Sequence, residues 1–337
     1  MNFDFDDDQR EIKRTAHDLL ASRSSWERVR EAAESGAYDA ALLSELCELG
    51  WPGIAIGEQH GGQGLGLVEL CVLLEELGYA GTATPLLSTA LAAVVIQEAG
   101  SPEQQATWLP RLAAGEVTGA LGVAEDGVAE LVADGADAAV IVLIEDGAGR
   151  IVTPDRAEIE PVASIDPTRH TARVTAQGGE PLPGDVDAAI AKAAVAVSAE
   201  LVGVCQRALD MSVEYAKDRK QFDTPVGAFQ AVAHKCAVML KLTEGARAAA
   251  YAGAWAADAS PELLPEAASI AKAAASEAGR EVTASAIQVH GGIGFTWEAD
   301  VHWLFKRAQM DAAFLGGAGA HRRRLTALLA ERLATRT

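Results

Sequence analysis

Cysteine is scarce in this chain, and the spacing of the cysteines excludes two common kinds of scaffold. The four of them, Cys47, Cys71, Cys205 and Cys236, are far apart and form no CxxC pair. Structural zinc sites and disulfide frameworks use closely spaced pairs or dense sets of cysteines. Each of these four lies in an apolar, helical context, where cysteine behaves as a small core residue. The sequence therefore predicts neither a metal site nor disulfide bonds.

Basic residues are also few. The 337 residues include 28 Lys and Arg against 48 Asp and Glu, a formal net charge of −20. Nucleic acids and anionic membranes bind through clustered lysine and arginine, so neither is an expected partner. The first residues, MNFDFDDDQREIKRT, are acidic and lack the apolar run of a signal peptide. No apolar segment of membrane-spanning length is free of charges and helix breakers. These features predict a cytoplasmic protein.

Hydrophobic periodicity divides the chain into three regions. Residues 1–115 have apolar residues at helical spacing, as in DQREIKRTAHDLLAS and LVELCVLLEELG. Residues 116–184 contain the short apolar runs TGALGVA, AAVIVLI, GRIV and TARVTA, separated by turn residues, which is typical of antiparallel strands. Helical spacing returns in residues 185–337. We therefore predict an α+β fold with an N-terminal helical domain, a small central antiparallel β-domain and a C-terminal helical domain.

Two segments carry residues suited to binding. In YAKDRKQFDTPVGAFQ, a helix ends in cations and is followed by Phe222 and a Thr-Pro turn that opens a new helix. The cations could face the carbonyl end of the helix. Equally, Arg219 could meet a phosphate with Phe222 beside a flat ring. In QVHGGIGFTWEAD, three glycines in four residues indicate either a turn that ends a helix or a backbone that approaches a ligand closely.

Three segments together resemble one known family. GWPGIAIGEQHGGQGLGLVELCVLLEELG, DRKQFDTPVGAFQ and QVHGGIGFTWEADVHWLFKRA occur in this order, and the chain is similar over nearly its whole length to the acyl-CoA dehydrogenases. The resemblance implies a helical domain, a β-domain and a C-terminal four-helix domain that bind FAD and acyl-CoA. In that family a glutamate removes the α-proton of the thioester while a hydride passes from the β-carbon to the flavin.

The resemblance also implies roles for single residues. Arg219 and Phe222 match family residues that contact FAD, and so do Gln288, Gly291 and Gly292. In the family these residues reach the diphosphate and adenine side of an FAD seated in the neighbouring subunit. The resemblance thus implies cofactor contacts that this chain makes across a subunit interface.

The family's catalytic glutamate has no counterpart at either of its usual positions. Many members carry it in a Tyr-Glu-Gly-Thr segment, where this chain has FLGGAGAHR with Gly316 at the place of the glutamate. Others carry it on the first helix of the C-terminal domain, near Ala193 of this chain. Glu200 lies two helical turns beyond Ala193, about 10 Å away, whereas proton abstraction needs contact within about 3 Å. Glu200 is kept as the fallback base.

The β-domain departs from the family pattern too. The family's flavin-side loop, Thr-Glu-Pro-Gly-x-Gly-Ser-Asp, falls on GVAEDGVAEL, where Glu125 and scattered glycines remain. The tryptophan-containing strand that covers the flavin ring is missing, and the region is short. We therefore expect that the chain has lost its own flavin seat.

These matches and losses resemble the shortened subunit of the actinobacterial heteromeric acyl-CoA dehydrogenases of steroid side-chain degradation. Such a subunit pairs with a homologous full-length one as an α2β2 tetramer. The implied partners are that subunit, with FAD seated mainly in it, an acyl-CoA substrate and an electron-transfer flavoprotein, and the implied activity depends on the pairing. Two alternatives stay open: a self-sufficient homo-oligomeric dehydrogenase with a relocated base, and a non-enzymatic scaffold or CoA-ester-binding relative.

Overall fold

The structure is a computed structural model that describes residues 4–334. Within that range it contains eleven α-helices: α1 (Asp7–Arg23), α2 (Trp26–Ser35), α3 (Ala40–Glu48), α4 (Leu67–Ala80), α5 (Leu86–Ala99), α6 (Pro102–Ala113), α7 (Val186–Asp218), α8 (Gln230–Ala259), α9 (Leu264–His290), α10 (Val301–Ala313) and α11 (Ala318–Ala334). The same range contains nine strands: β1 (Gly119–Val123), β2 (Val128–Ala133), β3 (Val140–Glu145), β4 (Ala148–Val152), β5 (Glu158–Val162), β6 (Thr171–Thr175), β7 (Glu180–Pro181), β8 (Lys220–Gln221) and β9 (Thr224–Pro225).

The order of these elements confirms the predicted α+β fold, with helices before and after a central group of strands. The chain forms two compact units. One contains residues 4–26, 71–82 and 194–334, and the other contains residues 27–70 and 83–193. The division of the sequence into domains at residues 115 and 184 stays a prediction.

Capping residues determine where two of the N-terminal helices begin. At α1 the Asp6 carboxylate accepts from the backbone N–H of Gln9 (2.8 Å), and the Gln9 side chain accepts from the backbone N–H of Asp6 (3.2 Å). Ser101 and Gln104 form the same reciprocal pair at the start of α6. Each pair satisfies two N–H groups that have no partner inside the helix.

In the first unit, α9 packs against α8, α10 and α11, and small residues allow the helices to approach closely. A Cβ atom at Gly253 of α8 would lie 2.8 Å from the side chain of Val195 on α7. A Cβ atom at Gly203 of α7 would lie 1.8 Å from the carbonyl oxygen of Glu75 on α4. Glycine is therefore required where α7 crosses α4, because any side chain would push the helices apart.

In the second unit the strands form two sheets, with the orders β1-β3-β4-β7 and β2-β6-β5. Side chains from both sheets share one apolar cluster that includes Val132, Ile141 and Val174. The predicted antiparallel pairing is found between most neighbours, but β1 and β3 pair in parallel. The parallel pairing arises because the intervening strand β2, which the sequence patterns did not predict, belongs to the second sheet. The chain therefore enters the first sheet again in the same direction as β1.

One helix in the described part of the chain, α7, is long and apolar enough to span a membrane by length and composition. However, 83% of its most apolar stretch is buried inside the protein. That burial is typical of the core helix of a helical unit.

Candidate cofactor-contact site

Arg219 and Phe222 lie on a short hairpin directly after α7. The backbone N–H of Arg219 donates to the carbonyl oxygen of Tyr215 (2.9 Å), and its own carbonyl accepts from Val226 (2.8 Å). The β8–β9 hairpin therefore holds the backbone of Arg219 in place while its side chain is exposed. At the tip, Phe222 and Asp223 have φ values of 53° and 60°, the conformation of a two-residue hairpin turn.

Phe222 is 91% exposed in this turn. A large apolar side chain in the left-handed region and in contact with solvent is unfavourable on both counts. Such an arrangement is typical of a residue that contacts another molecule. The predicted Thr-Pro turn is part of β9 here, and α8 begins only at Gln230, after a 3-10 turn at Val226–Ala228.

Gln288, Gly291 and Gly292 lie where α9 ends. Gly291 has a φ of 67°, which ends the helix and favours glycine. Added Cβ atoms at Gly291 and Gly292 would meet nothing within 4 Å, whereas one at Gly294 would lie 2.7 Å from the Ile287 carbonyl oxygen. Close internal packing therefore accounts for the glycine at position 294, and the positive φ at the end of α9 accounts for the glycine at position 291. No contact within the described residues explains Gly292, whose backbone is open to solvent.

A stacked pair of rings joins these two segments. His290 at the end of α9 stacks on Tyr215 of α7, with ring centroids 4.5 Å apart. The His290 ring is largely buried, its Nδ1 donates to the Ala286 carbonyl oxygen (2.8 Å), and burial lowers its pKa. Because Tyr215 also accepts from the Arg219 backbone, the Arg219 hairpin and the Gly291 turn are neighbours. Sequence reasoning missed the stack, although both rings belong to the two segments it singled out.

A largely apolar groove of about 540 Å³ follows this turn. Its lining consists of Ala284, Ile287, Gln288, Gly291, Gly292, Phe295 and Phe305. Phe295 is 82% exposed, so the groove offers an aromatic surface beside open backbone. An exposed cation, exposed aromatic rings and accessible backbone N–H groups are suited to a phosphate ester that carries a flat ring. We call the Arg219 hairpin together with this groove the cofactor-contact surface.

The turn that contains Gly316 has no group that could remove a proton. Residues Phe314–Gly317 follow α10, and none of their side chains ionises. Leu315 and Gly316 have φ values of 54° and 93°, and His321 Nε2 donates to the Leu315 carbonyl oxygen (3.0 Å). Whichever residue of this turn is aligned with the family's glutamate, its side chain does not ionise.

A buried lysine holds this turn from the inside. Lys272 of α9 is fully buried, and its Nζ donates to the carbonyl oxygens of Asp311 (3.0 Å), Ala312 (3.3 Å) and Gly316 (3.2 Å) and to Ser276 Oγ (2.9 Å). A cation at the carbonyl end of α10 interacts favourably with the helix dipole. Burial nevertheless lowers the pKa of Lys272 to about 8. Sequence reasoning missed this lysine, whose only signal was a single charge in the alanine-rich run IAKAAAS.

The two remaining candidate positions are buried in the helices. Ala193 has no solvent exposure. Glu200 is 3% exposed, and its Oε1 lies 3.8 Å from Nη1 of Arg307, which is itself 2% exposed. Arg307 also donates to the carbonyl oxygen of Thr82 (3.0 Å). This placement favours a structural ion pair over a catalytic role for Glu200, because a base must reach its substrate.

The segment matched to the flavin-side loop is a tight turn. Glu125 and Val128 exchange backbone hydrogen bonds of 3.0 Å, and Asp126 and Gly127 between them both have positive φ. The strand β2 begins at Val128 and pairs with β6. The connection from β1 to β2 is therefore a tight turn. Among residues 4–334, moreover, no group of three or more His, Cys, Asp or Glu side chains could hold a metal ion.

Two parts of the chain match domains of one protein family. Residues 6–116 match the acyl-CoA dehydrogenase N-terminal domain, and residues 185–330 match the acyl-CoA dehydrogenase C-terminal domain. The stretch between these matches contains β1–β7.

Individual proteins show the same similarity. The chain is 38% identical over 309 residues to the acyl-CoA dehydrogenase IpdE2 of Mycobacterium tuberculosis, covering 90% of this chain and 92% of that protein. A solved variant of the Tcur3481–Tcur3483 steroid ACAD is 28% identical, with a TM-score of 0.87 and coverage of 97% and 99%. The ChsE4–ChsE5 complex from Mycobacterium tuberculosis is 25% identical, with a TM-score of 0.88 and coverage of 98% and 99%.

Proposed function

Since this chain belongs to the acyl-CoA dehydrogenase family, we propose that it is one subunit of a heteromeric, flavin-dependent acyl-CoA dehydrogenase. Its role is to contact an FAD seated mainly in a homologous full-length subunit. The family's reaction is the α,β-dehydrogenation of a CoA thioester, so the assembled enzyme is an oxidoreductase acting on CH–CH bonds.

The observation that carries this proposal is the direction in which the candidate residues face. Arg219, Phe222 and Gln288 are exposed, and the space above Gly291 and Gly292 is open. The residues fit FAD by their chemistry: the Arg219 guanidinium suits the diphosphate, Phe222 suits a flat ring, and open glycine backbone suits close approach. When bound, FAD would accept the hydride from the β-carbon of the thioester. The groups of this chain hold and orient the cofactor.

Two losses support a division of labour between subunits. The turn Phe314–Gly317 has no ionisable side chain, and Glu200 is committed to Arg307 in the interior. The tight turn at Glu125–Val128 replaces the loop that would lie along this chain's own flavin. On this proposal the carboxylate that removes the α-proton belongs to the partner subunit, and the present chain is active only within the complex.

The named relatives support a substrate class and a partner for this chain. The Tcur3481–Tcur3483 protein is described as a steroid ACAD, and ChsE4–ChsE5 as a complex. We therefore place the CoA thioester of a steroid side chain as the substrate class and an α2β2 tetramer as the assembly. An electron-transfer flavoprotein as electron acceptor and a cytoplasmic location complete the proposal.

The test compares two arginine variants in a complex of this chain co-expressed with a full-length homologue. Charge-assisted hydrogen bonds contribute about 1.5–3 kcal/mol, so Arg219→Ala should weaken FAD binding by roughly 10- to 150-fold. The matched control is Arg323→Ala, because Arg323 is exposed on α11 and outside the cofactor-contact surface.

Flavin absorbance and circular dichroism of both complexes are the readouts. We expect Arg219→Ala to lose flavin while the complex stays folded, and Arg323→Ala to keep it. Equal flavin in the two variants would contradict the cross-subunit role of Arg219. If the complex contains no flavin with the unmodified chain or with either variant, the result would instead favour a scaffold or CoA-ester-binding relative.

A further inference from the structure

A second cavity lies in the first unit, between the end of α1, the end of α4 and the middle of α7. It measures about 340 Å³, within the range of small-molecule sites. Its lining is mainly apolar, with Leu20, Ala21 and the Trp26 ring among the contributors. The Arg207 guanidinium is the cation that distinguishes it from an ordinary surface depression.

Two aromatic rings lie close to the Arg207 guanidinium. Its central carbon lies 5.8 Å from the centroid of the Trp26 ring and 5.2 Å from the centroid of the Tyr79 ring. Both distances are within the range of cation–π attraction. A guanidinium carries five N–H donors, so contact with two rings leaves donors for another group. Within residues 4–334, the hydrogen bond that the guanidinium donates to the protein is a long one, from Nη1 to Tyr79 Oη at 3.4 Å.

The acidic groups nearby already have partners of their own. Glu76, which also lines the cavity, is paired with Lys13 (2.8 Å) and His17 (2.9 Å). Asp210 accepts from Tyr79 Oη (3.1 Å) and from Gln206 (2.9 Å). Across residues 4–334, no carboxylate lies within 4.0 Å of Arg207. The guanidinium is therefore preorganised by the rings, and its planar set of donors has no planar acceptor.

From this geometry we propose that the cavity binds a small organic carboxylate with a flat, apolar body. The two carboxylate oxygens accept a bidentate pair of hydrogen bonds from the Arg207 N–H donors that do not face Tyr79. The apolar body lies against Leu20, Ala21 and Trp26. A dianionic phosphate fits less well, because the carboxylates of Glu76 and Asp210 are close and raise the cost of a second negative charge.

The proposed site is separate from the cofactor-contact surface. Arg207 and Arg219 both belong to the segment that starts with α7, twelve residues apart, which is about 18 Å at the rise of an α-helix. None of the residues that line the cavity lines the groove beside Gly291. The site is thus independent of the FAD contacts and of the proposed function.

Calorimetric titration of the purified full chain with 2-naphthoate and with inorganic phosphate tests the proposal. For a ligand of this size at ordinary efficiency we expect a dissociation constant of about 1 mM for naphthoate and weaker binding of phosphate. Arg207→Gln should weaken naphthoate binding at least tenfold, or about 1.4 kcal/mol. The matched control Arg323→Gln removes the same charge from an exposed position and should leave binding unchanged.

A further variant separates binding from folding. Ala21→Trp places a large side chain in the cavity from an exposed position of α1 and leaves Arg207 intact, so it should abolish naphthoate binding in a folded protein. Naphthoate binding that survives Ala21→Trp or Arg207→Gln would overturn the proposal. So would the absence of saturable binding by the unmodified chain at about ten times the expected dissociation constant, or phosphate binding as strong as that of naphthoate.

Discussion

Glu200→Gln should destabilise this protein strongly, because it removes a buried negative charge that lies beside the buried Arg307 guanidinium. The Glu200 and Arg307 charges are 3.8 Å apart, and both side chains are almost completely buried. At an effective dielectric constant of about 20 their attraction is about 4 kcal/mol. Removal of one partner from a buried ion pair costs about 3–5 kcal/mol, which agrees with that figure. We therefore expect a loss of 3–5 kcal/mol in the free energy of unfolding.

Urea unfolding followed by circular dichroism measures this loss, with Glu214→Gln as the control. Glu214 is an exposed glutamate on the same helix, so its substitution should change the free energy of unfolding by no more than about 0.5 kcal/mol. Glu200→Leu combined with Arg307→Met should recover part of the lost stability, since well-packed apolar residues can replace a buried ion pair, but the Thr82 carbonyl oxygen then loses its Arg307 donor.

One combination of results would refute a purely structural role for Glu200. If Glu200→Gln unfolds within about 1 kcal/mol of the unmodified chain while the complex loses its dehydrogenase activity, Glu200 acts in the reaction. The self-sufficient enzyme with a relocated base would then replace the heteromeric proposal.

Two further predictions concern Lys272 and the glycines after α9. Lys272 has a folded pKa of about 8, below its ordinary value of 10.5, so the unfolded chain binds more protons between these values. The contribution of Lys272 to the free energy of unfolding should therefore rise as the pH increases from about 8 to 10.5. In unfolding curves measured in parallel, the Lys272→Met variant should lack this rise. If the free energy of unfolding has the same pH dependence in both proteins, the pKa of Lys272 is not lowered. Gly292→Ala should leave the thermal stability of the chain unchanged and lower flavin retention in the complex. Gly294→Ala should lower thermal stability, because its Cβ would lie 2.7 Å from the Ile287 carbonyl oxygen. Equal melting temperatures for the two alanine variants would contradict this assignment.

The helical and strand-rich regions were predictable because they depend on local periodicity. The strand runs TGALGVA, AAVIVLI, GRIV and TARVTA correspond to β1, β3, β4 and β6. The strand β2 was missed because VAELVA was interpreted as the remnant of a flavin-side loop. The parallel pairing of β1 with β3 could not be predicted, since it depends on which sheet β2 joins.

Contacts between distant residues were beyond the reach of local patterns. Tyr38 donates to Asp134, a buried carboxylate 96 residues away, and burial raises the pKa of that carboxyl. Glu200 and Arg307 are separated by more than 100 residues. The segments around Arg219 and Gln288 were singled out from the sequence, but the Tyr215–His290 stack that makes them neighbours appeared only in the structure.

The ratio of flavin to protein chain tests the central claim most directly. Visible absorbance and protein concentration are measured for this chain alone and for its complex with a co-expressed full-length homologue. The heteromeric account predicts a colourless chain alone and about one FAD per two chains in the complex. A chain that is yellow alone, with about one FAD per chain, would contradict the account and show that this chain has its own flavin seat.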